Sequence, residues 1–401
     1  MTTRLRGSVS LSETQQLVQN AIREICEEFD DEYWRNCDRT DTYPTEFVEE
    51  LADGGWLGIL IPEEYGGVGM STEEVVVMME EIAASGGGFA ATQAIHGTIY
   101  NSVPLVKYGD EAMKTDVLAD IASGDLAVQS LALTEPNAGS DSLSIETRAE
   151  RDGDDYVING QKIWTSRVDQ TDYVLIVART TPKSDVEKNT RGLSMFLVDL
   201  EAAFEQDAIQ MEAIEKTASN AVHSFELWFE NLRVPQSALL GEKDRGFYQL
   251  LDGLNEERVV IAAECLGLGE LALEHGAAYA NEREVFGRKI GKNQAIQHPL
   301  AKAYARVQAA KEVVYNAATR LETSEQKDGG TQANLAKFLA SEACFEAADI
   351  AVQTHGGFGV AREYDVERYF REARLTRLVP IAQELTLNYI AENALGLPRS
   401  Y

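Results

Sequence analysis

The chain has 401 residues, of which 44% are hydrophobic, so it can bury two or three packed domains and is too apolar to be disordered. The 66 acidic and 36 basic residues give a net charge of −30 at pH 7, and the acids are spread along the whole chain. Because such a surface repels phosphates, we expect neither nucleic acid nor anionic lipid as a partner. Self-repulsion at low salt destabilises a compact state unless counterions screen it. The charge therefore predicts a halophilic protein.

The sequence also bears on cellular location and on cysteine chemistry. No apolar run approaches the roughly 20 residues that span a bilayer, and the N-terminal sequence MTTRLRGSVS lacks the apolar core of a signal peptide. We therefore predict a cytoplasmic protein with no membrane span. The cysteines lack paired CxxC spacing, which favours buried thiols over disulfides or a metal site. They are Cys26, Cys37, Cys265 and Cys344.

The first hundred residues carry a helical pattern, and the next hundred do not. Two stretches, Ser12–Gln15 and Ser71–Glu74, match the capping box that begins a helix. From about Asp125 the pattern changes to short β-rich runs separated by turns. Within them, Asn159-Gly160 is predicted to form the two-residue turn of a hairpin.

Long helical patterns return after Gly241, over residues 246–283, 295–323, 331–354 and 364–395. The order of helices, strands and helices predicts an α+β fold and not a doubly wound sheet. We predict an N-terminal all-α domain over residues 1–124, a small middle β-sandwich or barrel domain over 125–240, and a C-terminal four-helix bundle over 241–401.

Two adjacent acids, Glu256 and Glu257, stand within the first of these long helices. On a helical wheel Glu257 falls within an apolar stripe and Glu256 points away from it. The stripe is formed by Leu250, Leu254, Ile261 and Leu268. A carboxylate on a buried stripe must be paired, neutralised or used in chemistry, because burying an unpaired charge costs several kcal/mol. An ion pair with Arg258 or a differently turned helix explains the pattern equally well, and Glu264 near the same stripe leaves the choice open.

Seven stretches, in this order and spacing, resemble the acyl-CoA dehydrogenase family of flavoproteins. They are PEEYGG (62–67), LTEPNAGSD (133–141), NGQKIWTS (159–166), FENLRVP (229–235), EREVFGRKI (282–290), HGGFG (355–359) and VERYFREARLTR (366–377). Each is weak alone, but together they cover nearly the whole chain. The resemblance implies an FAD-dependent enzyme that oxidises an acyl-CoA thioester to the trans-2-enoyl-CoA. Hydride passes to flavin N5, and electrons leave to an electron-transfer flavoprotein.

The resemblance further implies an FAD site divided between two chains, in a homodimer or homotetramer. The implied contacts to the flavin are Leu131, Leu133, Thr134, Gly139, Ser140, Trp164, Thr165 and Ser166, and the last of these would bind flavin N5. The implied contacts to adenine and diphosphate, across a subunit interface, are Arg283, Phe286, Gln353, Gly356 and Gly357. The implied substrate contacts are Ser140, Asn255 and Arg258, although many relatives have aspartate at position 255.

The catalytic base is where this sequence departs from most relatives. Most place a glutamate in the loop after LTR, where the count falls on Pro380, which cannot accept a proton and has no N–H to polarise the thioester carbonyl. A minority, including the isovaleryl-CoA and long-chain enzymes, places it on the first long C-terminal helix, one residue before an arginine. Glu257 precedes Arg258 in this way. We predict Glu257 as the base, with the Ile381 N–H as a substitute donor and Glu384 as a rival base if the loop register differs.

A chain that resembles this family has other possible functions. A flavin oxidase or monooxygenase could use the same scaffold, with oxygen in place of the electron carrier. Some relatives bind DNA, but the net charge of −30 opposes that. A catalytically silent homologue would also explain the unusual Pro380.

Overall fold

The computed structural model describes residues 9–323 and 326–400. Residues 1–8, which contain most of the N-terminal stretch used to predict a cytoplasmic protein, lie outside the described residues. The N-terminal helices are α1 (Glu13–Glu27), α2 (Asp31–Thr40), α3 (Thr45–Asp53), α4 (Thr72–Ala83), α5 (Gly88–Tyr108) and α6 (Glu111–Ser123). The predicted capping boxes at Ser12 and Ser71 are both confirmed, because each serine exchanges hydrogen bonds with the residue three positions later.

The middle of the chain is a sheet domain. Its elements are β1 (Ser130–Ala132), β2 (Arg148–Asp152), β3 (Asp155–Ser166), β4 (Tyr173–Arg179), β5 (Leu193–Asp199), the short helix α7 (Leu200–Glu205), β6 (Ile209–Ala213), β7 (Ser224–Pro235) and β8 (Leu239–Leu240). The strand order is β6-β7-β3-β2-β4-β5-β8, and β1 pairs parallel to β4. Strands β2 and β4 are joined only by the pair Arg148 and Arg179. The two halves of the sheet share one apolar core, which confirms the predicted sandwich.

Strand β4 is buried on both faces. Val174 and Ile176 point into the sandwich core, whereas Leu175 and Val177 point into a second core shared with α5 and α6. A strand covered on both sides needs apolar residues at consecutive positions, as in the run YVLIVA. The second core therefore attaches the middle domain to the N-terminal helices.

The hairpin prediction at Asn159-Gly160 is wrong. Both residues lie inside β3, where the pairing with β7 shifts register between Ile158 and Gly160. Gly160 has φ of +151°, and a Cβ there would lie 2.6 Å from the Cα of Thr147. A glycine is therefore needed here, because the strand has a bulge and the two backbones approach each other closely. The turn falls instead at Gly153, with φ of +66°, between β2 and β3.

The C-terminal part is helical again. Its elements are α8 (Gly246–Glu282), the hairpin strands β9 (Glu284–Val285) and β10 (Arg288–Lys289), α9 (Gln294–Thr323), α10 (Gln326–His355), α11 (Val366–Leu375) and α12 (Gln383–Asn393). The prediction of one helix over residues 364–395 is wrong, because the chain breaks between Leu375 and Gln383. Pro380 lies in the break, and proline disfavours helix both at its own position and at the preceding residue.

The helices of both ends of the chain share one apolar core. It contains residues of α1, α4 and α5 together with residues of α8, α9, α10 and α11. The four cysteines are buried free thiols, as predicted. Within residues 9–323 and 326–400, no helix is long and apolar enough to cross a membrane.

Candidate active site

The two motifs predicted to bind the flavin ring run side by side. The Ile163 N–H donates to the Thr134 carbonyl at 2.9 Å, and the Ser130 hydroxyl donates to the Ser166 carbonyl at 2.8 Å. Residues 130–134 and 162–166 are therefore neighbours in the fold. The structure thus brings together the predicted positions Leu131, Leu133, Thr134, Trp164, Thr165 and Ser166.

A buried ion pair anchors the loop that follows β1. Lys162 is fully buried, and its Nζ donates to Glu135 Oε1 and to the Leu133 carbonyl, both at 2.9 Å. Glu135 also accepts the N–H groups of Glu146 and Thr147, at 2.6 and 2.9 Å. Burial lowers the pKa of Lys162 to about 8, although the charge of Glu135 opposes that shift. The pair ties the loop to β3 and to the chain entering β2.

The motif Trp164, Thr165 and Ser166 presents an aromatic face beside polar atoms. Trp164 has φ of +62°, and its side chain is 55% exposed. The Thr165 hydroxyl is buried and has no hydrogen-bond partner within the described chain. Ser166 Oγ lies 3.0 Å from Ser224 Oγ. An exposed indole beside an unsatisfied hydroxyl suits a planar polar ring system. On the adjoining loop Gly139 and Ser140 are exposed, and a Cβ on Gly139 would meet nothing within 4 Å.

A chain of hydrogen bonds leads from this motif to helix α8. Arg167 follows Ser166 and is buried, with Nη1 donating to the Gln93 carbonyl at 2.7 Å and Nε donating to the Gln129 carbonyl at 3.2 Å. The Gln93 side chain in turn donates to Glu264 Oε2 at 2.9 Å. The end of β3, helix α5 and helix α8 therefore meet at one place.

Glu257 lies at that place, beside an imidazole. Its Oε1 is 3.5 Å from His96 Nε2, and Glu264 Oε1 is 2.8 Å from His96 Nδ1. The Glu257 side chain is 20% exposed, whereas that of Glu264 is fully buried. Burial alone would lower the pKa of His96, but the charges and hydrogen bonds of Glu264 and Glu257 raise it to about 9. His96 also stacks on Tyr100, with ring centroids 4.8 Å apart.

The wheel prediction for the two adjacent acids is only partly right. Glu256 does not point into solvent as predicted, because residues 251–258 are all half-buried. From Val259 to Leu273 the helix is buried on all sides. Helical periodicity therefore cannot separate Glu256 from Glu257. The contact with His96 distinguishes Glu257, since Glu257 and Glu264 lie two turns apart on the same face.

The predicted substrate contacts on α8 form a pair. Arg258 Nη1 donates to Asn255 Oδ1 at 2.8 Å, whereas Arg258 Nε is buried without a partner in the described residues. Burial lowers the pKa of Arg258, and the charge of Glu257 opposes that shift most strongly. Ser140 shares no hydrogen bond with either residue in the described chain. Arg258 therefore keeps a donor that a polar ligand group could accept from.

The substitute donor lies in the break between α11 and α12, and the rival base lies at the start of α12. Lys337 is fully buried and donates to the Ile381 carbonyl at 3.0 Å. The buried Gln383 donates to Glu342 at 2.7 Å. Glu384 is exposed in the first turn of α12. Its exposure gives Glu384 less shielding from water than Glu257 has.

A second group of predicted residues gathers at the far ends of α8 and α10. The Tyr279 and His355 rings stack at 4.2 Å, which holds the two helix ends together. Phe286 lies at the tip of the β9–β10 hairpin and is 100% exposed. A Cβ on Gly356 or Gly357 would meet nothing within 4 Å. Both glycines are therefore open to a ligand that approaches the backbone closely.

The two groups are far apart within one chain. Arg283 follows the last turn of α8, and Gln353 is exposed near the end of α10. Glu257 and Arg283 stand 26 residues apart along α8, which is about 39 Å at a rise of 1.5 Å per residue. The group around Arg283 therefore cannot complete the site around Glu257 in the same chain.

Sequence reasoning missed His96. The signal was present, because a histidine within the mostly apolar run FAATQAIHGTIY must find polar partners when that helix is buried. Arg167 and Gln93 were also missed, because their hydrogen-bond partners are backbone and side-chain groups of elements distant in the sequence. Only the three-dimensional structure brings these groups together.

Two helical regions pack with a β-sandwich that presents an exposed indole beside a buried hydroxyl with no partner in the described residues, an arrangement that fits a flavin-dependent oxidoreductase. Sequence models of the acyl-CoA dehydrogenase N-terminal, middle and C-terminal domains match residues 12–125, 130–232 and 244–395. The chain belongs to the acyl-CoA dehydrogenase family, whose members are FAD-dependent oxidoreductases acting on CH–CH bonds. The exposed indole, the partnerless Thr165 hydroxyl and the open glycines fit FAD.

Relatives align over almost the whole chain. It is 36% identical over 394 residues to acyl-CoA dehydrogenase FadE12 of Mycobacterium tuberculosis, covering 97% of this chain and 98% of that protein. It is 33% identical over 369 residues to the caffeyl-CoA reductase-Etf complex subunit CarC of Acetobacterium woodii, covering 91% and 93%. Among solved structures, glutaryl-coenzyme A dehydrogenase in its glutaryl-CoA complex superimposes with a TM-score of 0.90 and 30% identity, covering 98% of each chain.

Proposed function

We propose that the protein dehydrogenates an acyl-CoA thioester to the trans-2-enoyl-CoA, with Glu257 as the base. The observation that carries the proposal is the half-buried Glu257 carboxylate. A series of side-chain and backbone contacts connects this carboxylate to the motif Trp164–Ser166. A carboxylate partly shielded from water can take the proton next to a thioester carbonyl. FAD, when bound, supplies the hydride acceptor for the neighbouring carbon.

The other residues of the site hold the substrate and shape its surroundings. We propose that Ser140, Asn255 and Arg258 contact the acyl-CoA, as the family resemblance implies. The buried Arg258 Nε, which has no partner in the described chain, supports the role of Arg258. Losing one donor to the thioester carbonyl costs about 100-fold or more in rate. Pro380 cannot donate, so we propose the Ile381 N–H as the replacement, with Lys337 holding Ile381 through its carbonyl.

We also propose that each FAD is bound by two chains. Leu131, Leu133, Thr134, Gly139, Ser140, Trp164, Thr165 and Ser166 of one subunit would bind the flavin end. Arg283, Phe286, Gln353, Gly356 and Gly357 of another would bind the adenine and diphosphate end. The separation of about 39 Å along α8 supports this division, as does the fully exposed Phe286. The assembly is then a homodimer or homotetramer. Within each chain, we propose domain boundaries after residues 124 and 240.

We propose an electron-transfer flavoprotein as the electron acceptor. The name of the CarC relative, a subunit of a reductase-Etf complex, supports such a partner. The same name raises a second candidate function, reduction of an enoyl-CoA, which uses the same site in the opposite direction.

Flavin bleaching by substrate tests the proposal. Anaerobic mixing of the FAD-loaded enzyme with a panel of straight and branched saturated acyl-CoAs is expected to bleach the visible flavin band with at least one of them. Coenzyme A and the free acids serve as controls and are expected to leave the band unchanged.

Three outcomes separate the alternatives. Failure of the whole panel to bleach the flavin would favour a catalytically silent protein. Rapid recovery of the band on admission of air would favour an oxidase or monooxygenase. Recovery only with enoyl-CoA would favour the reductive direction.

A salt requirement is a separate prediction from the net charge of −30. Raising KCl from about 0.1 M to about 1 M shortens the Debye length from about 10 Å to about 3 Å and weakens repulsion between surface acids. The urea midpoint of unfolding is therefore expected to rise over this range. Potassium sulfate at equal ionic strength controls for effects other than screening. A protein that is fully folded and active without added salt would contradict the prediction.

A further inference from the structure

We propose that His96 and Glu264 are positioning residues for the base Glu257. The three side chains form a carboxylate–imidazolium–carboxylate row that places a positive charge beside Glu257 and fixes the direction of its carboxylate. The inference rests on the proposed role of Glu257 and assigns a function to two residues that do not reach the substrate.

The geometry of the row requires a doubly protonated ring. Glu257 and Glu264 project from the same face of α8, and His96 of α5 lies between them. Its Nδ1 is 2.8 Å from Glu264, and its Nε2 is 3.5 Å from Glu257. A neutral imidazole carries one N–H, so it can donate to only one of two carboxylates. When both carboxylates are ionised, only the imidazolium can donate to both.

The surroundings of Glu264 suit a buried negative charge that does not contact the substrate. It has no solvent exposure, and its Oε2 accepts from Thr92 Oγ1 at 3.0 Å and from Gln93 Nε2 at 2.9 Å. Its other oxygen faces His96. Buried carboxylates are retained in the ionised form when such donors surround them. The role of Glu264 is therefore to keep a positive charge on His96.

The charges around His96 favour this state. Facing it are Glu257 and Glu264 from α8, and Tyr100, which also feels the charge of Glu256, is stacked on the ring. The buried Arg167 also feels the charges of Glu257 and Glu264. Burial lowers the pKa of His96, but the two carboxylates raise it to about 9, so the ring is cationic at neutral pH.

The row also accounts for charge during proton abstraction. Before the step Glu257 is negative, His96 positive and Glu264 negative. As the α-carbon–hydrogen bond breaks and the proton binds Glu257, that carboxylate becomes neutral. His96 and Glu264 then remain as a closed ion pair, so no buried charge is left without a partner.

The test is the pH dependence of flavin reduction in His96→Gln. Removing a cation makes the neighbouring carboxylate easier to protonate, so the acid limb of the rate profile is expected to move up by at least about one pH unit. At pH values below that limb this equals a loss of about tenfold in rate. Glu264→Gln keeps the hydrogen bonds from Thr92 and Gln93, and it should shift the limb in the same direction by less.

A second measurement does not depend on activity. A group whose pKa is raised on folding stabilises the protein fully below its unfolded pKa, and that stabilisation is lost as pH rises through the folded pKa. The difference in free energy of unfolding between wild type and His96→Gln should therefore shrink as pH rises from about 6.5 to about 9. A difference that does not vary with pH overturns the cationic state.

Controls keep this inference separate from the proposed function. His298, exposed on α9, provides the matched substitution His298→Gln, which should change neither measurement. Undiminished reduction by Glu257→Gln overturns the base itself. An inactive Glu257→Gln with unshifted profiles in both other variants overturns only the positioning role. If His96→Gln does not fold, the pH profile of flavin reduction in Glu264→Gln tests the positioning role.

Discussion

Replacing Glu257 with glutamine is expected to slow flavin reduction by acyl-CoA by about 100- to 10,000-fold, the range that a positioned acid or base contributes. Glutamine keeps the size of the side chain but cannot accept the α-proton. Because Glu257 makes no hydrogen bond to the motif Trp164–Ser166 in the described residues, FAD binding should persist. Anaerobic stopped-flow absorbance measures the rate, and the visible flavin spectrum measures bound FAD.

Two other acids provide matched controls for that loss. Glu256→Gln changes the adjacent residue on the same half-buried segment, and Glu384→Gln changes the exposed rival after Pro380. Both are expected to reduce flavin far faster than Glu257→Gln. If Glu384→Gln is the inactive variant and Glu257→Gln is active, the base belongs to the loop after α11 as in most relatives.

Replacing Lys162 with methionine is expected to destabilise the protein by about 3 to 5 kcal/mol, the usual cost of removing one partner of a buried ion pair. The Glu135 carboxylate would stay among the N–H groups of Glu146 and Thr147 without its cation. The loop carrying Gly139 would also lose its tie to β3, so FAD should dissociate more readily. Urea unfolding and the FAD content after gel filtration measure the two effects.

A surface pair and a double variant control this prediction. Arg233 bonds Asp152 at 2.9 Å in an exposed pair, so Arg233→Met should leave the unfolding midpoint unchanged. Adding Glu135→Gln to Lys162→Met removes the stranded charge and should recover part of the lost stability. Equal stability of Lys162→Met and wild type would show that the pair does not hold the loop.

The parts of the fold that followed from sequence are those decided by neighbours along the chain. Capping boxes at Ser12 and Ser71 involve residues three positions apart, and the change from helical to alternating patterns marks the middle domain. Predictions failed where distant residues decide. Gly160 serves a bulge against Thr147, not a turn, and Pro380 divides a helix whose apolar pattern continues on both sides.

The candidate site shows the same division. The motifs that contain Thr134 and Ile163 were predicted to act together, and the structure places them side by side. The contact that distinguishes Glu257 from Glu256 comes from His96, more than 150 positions earlier. No periodicity along one helix contains that information, because it depends on how α5 and α8 are packed.

The shared core of the two chain ends has a consequence for synthesis on the ribosome. Helices α4 and α5 bury apolar side chains against α8, which begins only at Gly246. Domains emerge from the ribosome N-terminal first, at about 5 to 20 residues per second. The apolar faces of the early helices therefore stay exposed to solvent for several seconds while the intervening strands are translated. During that interval the nascent chain is a natural client for holding chaperones.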